Sequence, residues 1–199
     1  AVVVKNETAA KRLAKEFGAE LIAFIKNANA ARCRFGSEQE LKRIRDALAK
    51  ADGVEFVDDI FVYPRPAGPM IARVGVLPIS VNPVNVDTKG MLIIGLIDSA
   101  VQANAMDKPK FILEQKFVGD AYDPGTGSPT HGTSMASIIL RGLSNKDLGV
   151  ENSPARILPV DIYGSNPTTT SFDVAQGITL AVEGGAKIVN LSLGSAAPS

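Results

Sequence analysis

The chain contains one histidine, His131, and its surroundings suit a side chain that transfers protons. It lies in the stretch Thr130–Thr133, where small residues open a helical pattern that would hold an imidazole rigidly. Asp98 ends an apolar run, and a carboxylate on an imidazole fixes its tautomer and stabilises its charged form. A lone histidine is more often structural, and a strand-end aspartate can equally cap a helix or orient a ligand. The pair is therefore a hypothesis that depends on where the fold places both residues.

Residues 91–199 carry the elements that would position this pair. Strand-like apolar runs alternate there with helical patterns, which predicts an α/β domain. The run Met91–Ile97 is apolar almost throughout, as expected of a strand buried on both faces of a parallel sheet. The other predicted elements are strands at Ile157–Asp161 and Lys187–Leu193 and helices at Gly132–Leu143 and Phe172–Glu183. Functional groups of such sheets gather at the carboxyl ends of strands, where Asp98 lies.

Residues 1–63 have a different character, because they are charge-rich and contain no proline. Their hydrophobic patterns predict the order β-α-β-β-α-β, which suggests a small ferredoxin-like α+β domain without chemistry of its own. The predicted strands are Val2–Val4, Glu20–Lys26, Ala30–Phe35 and Val54–Tyr63, and the helices begin at the candidate caps Thr8 and Ser37. Residues 64–90 contain several prolines and glycines and are interpreted as a linker or a wrapping segment.

Composition excludes several classes of protein. Lys+Arg and Asp+Glu both number 21, so the formal net charge is zero and gives no case for binding nucleic acid or a membrane surface. The apolar runs are too short to span a bilayer. The single cysteine, Cys33, rules out an internal disulfide framework and a cysteine-based zinc cluster. The compartment stays open, with secreted or periplasmic locations slightly favoured.

Four blocks in sequence resemble the subtilisin-like serine proteases. Leu92–Ser99 is similar to the aspartate motif of that family, and His131-Gly132-Thr133 followed by Met135-Ala136 resembles its histidine motif. Ile157–Asp161 looks like the strand that follows, and Gln176–Gly194 matches a helix–strand stretch that ends at the substrate-binding edge. The resemblance implies a parallel-sheet subtilisin-like catalytic domain, of which residues 91–199 are the first half only. Residues 1–63 resemble the family's propeptide, which assists folding and inhibits the enzyme.

The resemblance also implies roles for individual residues. Asp98 would be the orienting acid and His131 the general base of a serine endopeptidase. Ser192, Leu193 and Gly194 would be the backbone edge that pairs with protein or peptide substrates as an added strand. Hydrolysis would run through an acyl-enzyme. One departure from the family pattern is Ala100, where glycine is usual.

The nucleophilic serine of the family lies C-terminal to this edge, so it is expected on polypeptide beyond Ser199. The chain alone is then expected to be inactive and to require its own missing C-terminal half as a partner. The segment Gly132–Ala136 itself reads like the family's serine motif and offers Ser134 as a substitute. Ser134 is rejected, because it follows the general base by three residues on the same helix and projects parallel to it.

Two other classes of function remain open from the sequence. The chain could be a non-catalytic pseudoprotease or binding module with the same fold. It could also be a nucleotide- or metabolite-binding α/β domain in which Asp98 contacts a sugar or a metal, although no phosphate-binding loop supports this. Asp120, Asp123 and the loop Gly125–Gly127 could bind calcium or could simply be a solvated loop. No other metal or cofactor is expected.

Overall fold

The computed structural model describes residues 1–67, 90–103, 111–125, 127–143 and 155–193. Its contacts divide the chain into two compact units, Ala1–Phe61 and Val62–Ser199. Most of the segment interpreted as a linker, residues 68–89, lies outside the described residues. None of the helices within the described residues combines the length and apolar character needed to cross a lipid bilayer.

The first unit is an antiparallel sheet with two helices packed against it. In chain order its elements are β1 (Val2–Val4), α1 (Glu7–Glu16), β2 (Glu20–Ile25), β3 (Ala30–Arg34), α2 (Glu38–Ala49) and β4 (Val54–Val57). The strands lie in the order β2-β3-β1-β4, and each neighbouring pair is antiparallel. Leu13 of α1 and Leu48 of α2 are buried against Val4 and Ala31 of the sheet. The apolar face of each helix therefore closes this small core.

The second unit is α/β with a parallel sheet, as the sequence predicts. Its elements are β5 (Val62–Pro64), β6 (Leu92–Asp98), β7 (Lys116–Phe117), α3 (His131–Leu143), β8 (Ala155–Asp161), β9 (Thr168–Thr170), α4 (Ser171–Glu183) and β10 (Ile188–Leu191). Among the described residues, the strands of the parallel sheet lie in the order β10-β6-β8-β7. The short strands β5 and β9 form a separate antiparallel pair.

The two helices cover the parallel sheet on opposite faces. Leu96 of β6 is buried with Ala136 and Leu140 of α3. Its neighbour Ile97 points the other way and is buried with Ala181 of α4. Because successive side chains of a strand alternate between faces, a strand covered on both sides must be apolar at consecutive positions. This explains the continuous apolar run that precedes Asp98.

Two sequence predictions in the first unit need correction. The residue that caps α1 is Asn6 rather than Thr8, because the extended backbone of Asn6 lets its side chain accept a hydrogen bond from Ala9 N.

The strand predicted at Val54–Tyr63 is two strands, β4 and β5, in different sheets. The polar residues after Val57 end β4, and the Asp58 side chain accepts a hydrogen bond from the next backbone N–H.

The close contact between β6 and α4 gives a test of this packing. A Cβ added at Gly95 would lie 2.8 Å from Ala181 Cβ and 3.3 Å from Ala186 Cβ. We expect Gly95→Val to lower the free energy of unfolding by about 1–3 kcal/mol, because overpacking forces the helix from the sheet. Thermal or denaturant unfolding followed by circular dichroism measures the change.

A matched control is available on α3. Gly142 has open space around a Cβ, so Gly142→Ala should be neutral or stabilising by up to about 1 kcal/mol. Equal stability of the Gly95→Val and Gly142→Ala variants would contradict the packing described here.

Candidate active site

Asp98 is the last residue of β6, at the carboxyl edge of the parallel sheet, and its side chain is fully buried. Parallel pairing sets it beside Asp161, the last residue of β8. Burial raises the pKa of Asp98, while hydrogen bonds from Ser99 and the positive charge of a protonated His131 act in the opposite direction. Asp98 is therefore a buried carboxyl group whose ionised form depends on a few nearby donors.

His131 is the first residue of α3, and the turn before it is held by hydrogen bonds. The Thr130 hydroxyl accepts a hydrogen bond from Thr133 N at 3.0 Å, which is the bond that caps a helix N-terminus. Thr130 N donates to the side chain of Gln102 at 3.0 Å, and the same Gln102 donates to the Gly125 carbonyl at 3.0 Å. The hydrogen bonds of Thr130 with Thr133 and Gln102 therefore hold the turn from which the His131 imidazole projects.

The structure brings Asp98 and His131 together. His131 Nδ1 lies 2.8 Å from Asp98 Oδ2 and 3.0 Å from Asp98 Oδ1. A proton on Nδ1 would be donated to the carboxylate, which leaves the lone pair of Nε2 for another proton. The histidine side chain keeps 16% of its surface exposed, whereas the aspartate has none. The arrangement can orient an imidazole and stabilise its protonated form.

This contact depends on a close approach between α3 and the end of β6. Ser99 N and the Ser99 hydroxyl both donate to Asp98 Oδ1, at 2.6 and 3.1 Å. The same hydroxyl accepts from Gly132 N at 3.0 Å. A Cβ at residue 132 would lie 2.0 Å from the Ser99 carbonyl oxygen, so the approach is open only to glycine. The glycine after the histidine therefore has a steric function.

A cavity of about 330 Å³ opens beside His131. Ser99, Ala100 and Thr130 line it next to the histidine, and Tyr122 lines it from the chain that precedes α3. Residues 65–67, which follow β5, also line it. A polypeptide segment therefore already lies at the cavity that His131 faces.

The Asp161 side chain holds the turn that follows β8, next to this cavity. Its Oδ1 accepts hydrogen bonds from Tyr163 N at 2.9 Å and Gly164 N at 3.1 Å. Gly164 has a φ of +54°, which a side chain would strain. Burial, together with the negative charges of Asp98 and Asp161, raises the pKa of Tyr163 to about 12. Tyr163 is consequently a neutral phenol.

The other residues proposed from the sequence have mixed outcomes. Ser192 and Leu193 directly follow β10, whose Leu191 pairs with Ile97, so they reach the same edge of the sheet as Asp98. Gly194 lies outside the described residues.

Ser134 is buried, and its hydroxyl donates a hydrogen bond to the Thr130 carbonyl at 3.1 Å, within its own helix. This contact agrees with its rejection as a nucleophile.

The loop considered for calcium lies on the surface. Asp120 and Asp123 are exposed, and Asp123 Oδ1 accepts a hydrogen bond from Gly125 N at 2.8 Å. Thr126 lies outside the described residues. Within the described ranges no group of three or more His, Cys, Asp or Glu side chains is placed to hold a metal ion.

Sequence reasoning missed Gln102, Tyr122, Tyr163 and Arg65. Tyr163 could have been found from its position, because it follows a predicted strand that ends at the same edge as Asp98. Gln102 and Arg65 carry no signal in their type or spacing, since their partners come from distant parts of the chain.

Comparison with known proteins identifies the family of the second unit. The sequence profile of the subtilase family matches residues 89–199. Thermitase of Thermoactinomyces vulgaris is 35% identical over 104 residues, which cover 51% of this chain and 37% of thermitase. The thermophilic serine proteinase of Bacillus sp. (strain AK1) is 35% identical over 103 residues, covering 51% of this chain and 25% of that protein. The cell wall-associated protease of Bacillus subtilis (strain 168) is 32% identical over 106 residues, covering 51% and 12%.

Fold and site together define an α/β protein in which a helix-borne histidine meets a buried aspartate at the carboxyl edge of a parallel sheet. The chain belongs to the subtilase family. It spans well under half the length of each of these relatives.

The buried carboxyl of Asp161 gives a pH-dependent prediction. Burial raises its pKa above the usual 3.8, although the charge of Arg65 acts in the opposite direction. An acid with a raised pKa destabilises the folded state progressively as the pH rises through that pKa. Asp161→Asn does not titrate and can keep the acceptor for Tyr163 N. The difference in Tm, variant minus wild type, should become more positive from about pH 3 to about pH 7.

Differential scanning calorimetry of both proteins across this range measures the difference. Glu114→Gln, which removes an exposed carboxylate of the same unit, is the control, and the difference for Asp161→Asn should change more with pH than the difference for this variant. A difference for Asp161→Asn that is flat or falls with pH would contradict the account of this carboxyl group.

Proposed function

We propose that this chain is part of a serine endopeptidase, with Asp98 as the orienting acid and His131 as the general base. The observation that carries the proposal is the contact of His131 Nδ1 with both oxygens of a fully buried carboxylate. Such a contact stabilises the imidazolium that forms when Nε2 takes a proton. A histidine with only a structural role would not need a cavity beside it, and here His131 lines one.

The nucleophile in this proposal is a serine on polypeptide outside these 199 residues. Ser99 and Ser134, which lie close to the pair in sequence, are both engaged, since Ser99 bonds to Asp98 and Gly132, and Ser134 bonds to the helix backbone. The strand β10 also leaves Ile188 and Leu191 about half exposed at one end of the described sheet. Further polypeptide that continued the sheet would cover them. Residues 1–199 alone would then be inactive.

The reaction would proceed through an acyl-enzyme. A substrate chain would lie along Ser192–Gly194 as an added strand, which fixes the scissile carbonyl near the nucleophile. His131 Nε2 would take the proton of the serine hydroxyl as its oxygen attacks that carbonyl, and would then give the proton to the leaving amine. Water would hydrolyse the resulting ester by the same proton route and regenerate the serine. Asp98 stays ionised throughout and stabilises the imidazolium.

The first unit is proposed to be an inhibitory, ferredoxin-like prodomain, extending over residues 1–63. Its antiparallel order β2-β3-β1-β4, with two helices on the sheet, supports this assignment. Directly after the compact part ends at Phe61, the chain forms β5, which pairs with β9 beside the cavity of His131. Residues 65–67, which follow β5, line the cavity beside the general base and would hinder a substrate from reaching it. The following segment, with the boundary near residue 90, would connect to the catalytic unit.

The endopeptidase proposal is tested on the full-length gene product. His131→Ala should lower kcat/KM for peptide hydrolysis by about 10⁴-fold or more, and Asp98→Asn by about 10⁴-fold, because the histidine loses its proton role or its tautomer. Release of a fluorogenic peptide measures the rates. Labelling by a fluorophosphonate probe reports the activated serine separately.

Glu114→Gln removes an exposed carboxylate in the same unit and should stay within about twofold of wild type. Hydrolysis near the wild-type rate in His131→Ala would contradict the assigned roles. A full-length protein that neither hydrolyses peptides nor reacts with the probe would support the alternative class, a pseudoprotease or binding module.

Inhibition by the first unit makes a separate prediction. A polypeptide of residues 1–67, added to active enzyme, should inhibit at least tenfold more strongly than one of residues 1–61, because only the longer one carries β5. Inhibition constants from the same fluorogenic assay give the comparison. Equal inhibition by the two would show that β5 does not block substrate.

A further inference from the structure

The segment after β5, residues 65–67, lines the cavity beside His131. Val62, Tyr63 and Pro64 pair antiparallel with Thr170, Thr169 and Thr168. The pairing continues one residue further, where Arg65 N donates to the Pro167 carbonyl at 2.7 Å. Main-chain hydrogen bonds of this kind hold an added strand whatever its sequence, and specificity comes from the pockets that its side chains reach. The side chain to consider is that of Arg65.

The Arg65 guanidinium is surrounded by groups that suit a cation. Its central carbon lies 5.9 Å from the centroid of the Tyr122 ring and 5.6 Å from that of Tyr163. It donates to the carbonyl of Gly164 at 2.6 Å and also to the carbonyl of Asn166. Two aromatic faces and two carbonyl oxygens recognise the planar, multiply donating head of arginine better than any neutral side chain. These four contacts converge on one terminal group.

Arg65 is half-buried as a residue, and the inner part of its guanidinium is out of contact with solvent. Arg65 Nε is fully buried without a hydrogen-bond partner. The nearby Asp161 has a fully buried Oδ2 atom that also lacks a hydrogen-bond partner. An unpaired buried carboxylate oxygen is costly unless a positive charge lies close by. Arg65 supplies such a charge, and it acts on Asp161 electrostatically.

We propose that the groups around the Arg65 guanidinium, beside the cavity of His131, form an arginine subsite for polypeptide substrates, with Tyr122 and Tyr163 as its specificity-determining residues and Asp161 as its charge. Arg65 is the chain's own occupant of the subsite. The inference rests on the proposed endopeptidase function and adds a preference for one basic side chain close to the scissile bond. Lysine should be accepted less well, because it lacks the planar fork that meets two carbonyls.

The preference is measured with the active form of the full-length protein and peptide pools randomised at each position. Sequencing of the products should find arginine over leucine by about tenfold or more at one position near the cleaved bond. Citrulline, which keeps the shape of arginine without its charge, should behave like leucine at that position. The Asp161→Asn variant should also lower the ratio of arginine to citrulline cleavage.

Variants of Tyr122 separate recognition from structure. Tyr122→Leu should reduce the arginine-to-leucine ratio at least threefold, and Tyr122→Phe should restore it, because phenylalanine keeps the aromatic face. Glu114→Gln, an exposed carboxylate change in the same unit, should leave the ratio unchanged. A ratio near one in the wild type, or a ratio that Tyr122→Leu does not change, would overturn the subsite while leaving the endopeptidase proposal intact.

If the proposed endopeptidase function is wrong, the peptide pools are not cleaved, and the arginine subsite is tested by peptide binding. If no pool is cleaved in a His131-dependent manner, binding decides the inference. A synthetic octapeptide of residues 60–67, or its citrulline form, is titrated by calorimetry into full-length protein that carries Arg65→Leu in its own chain. Binding at least tenfold tighter for the arginine form supports the subsite, and equal binding overturns it.

Discussion

The close approach of Gly132 to the Ser99 carbonyl is the constraint on which the site depends. It brings the start of α3 against the end of β6, so that His131 reaches a carboxylate that is buried in the sheet. The Ser99 hydroxyl then links both partners, since it donates to Asp98 and accepts from Gly132 N. Because Ser99 bonds to both Asp98 and Gly132, it holds the carboxylate close to the backbone that carries His131.

Two buried carboxyl groups, Asp98 and Asp161, end neighbouring strands of the sheet and have different hydrogen-bond partners. Asp98 accepts from Ser99 and meets the histidine, whereas Asp161 accepts from Tyr163 N and Gly164 N and turns the chain towards β9. Burial raises the pKa of both groups. Two such charges at one edge are unfavourable unless cations lie near them. The Nδ1 atom of His131 contacts one carboxylate, and the Arg65 guanidinium acts electrostatically on the other.

Local patterns predicted the parts of this architecture that depend on neighbours in sequence. The apolar run before Asp98 indicated a doubly covered strand, and the small residues after His131 indicated a tightly packed helix; both are present. The strands β5 and β9 escaped prediction because each has three residues and finds its partner about a hundred positions away. The single strand predicted at Val54–Tyr63 was wrong for the same reason, since pairing with β9 rather than hydrophobicity separates its second part.

The tether explains how a short strand and one arginine could keep a cleft occupied. Three paired residues and a cation near two aromatic rings give modest affinity for a free peptide. A covalently attached segment, however, faces the cleft at an effective concentration on the order of millimolar, which free substrates seldom reach. Cutting the chain removes that advantage without altering any contact. In the proposed enzyme, the same groups would therefore hold the segment before cleavage and select a substrate side chain after it, because only the concentration of the occupant would change.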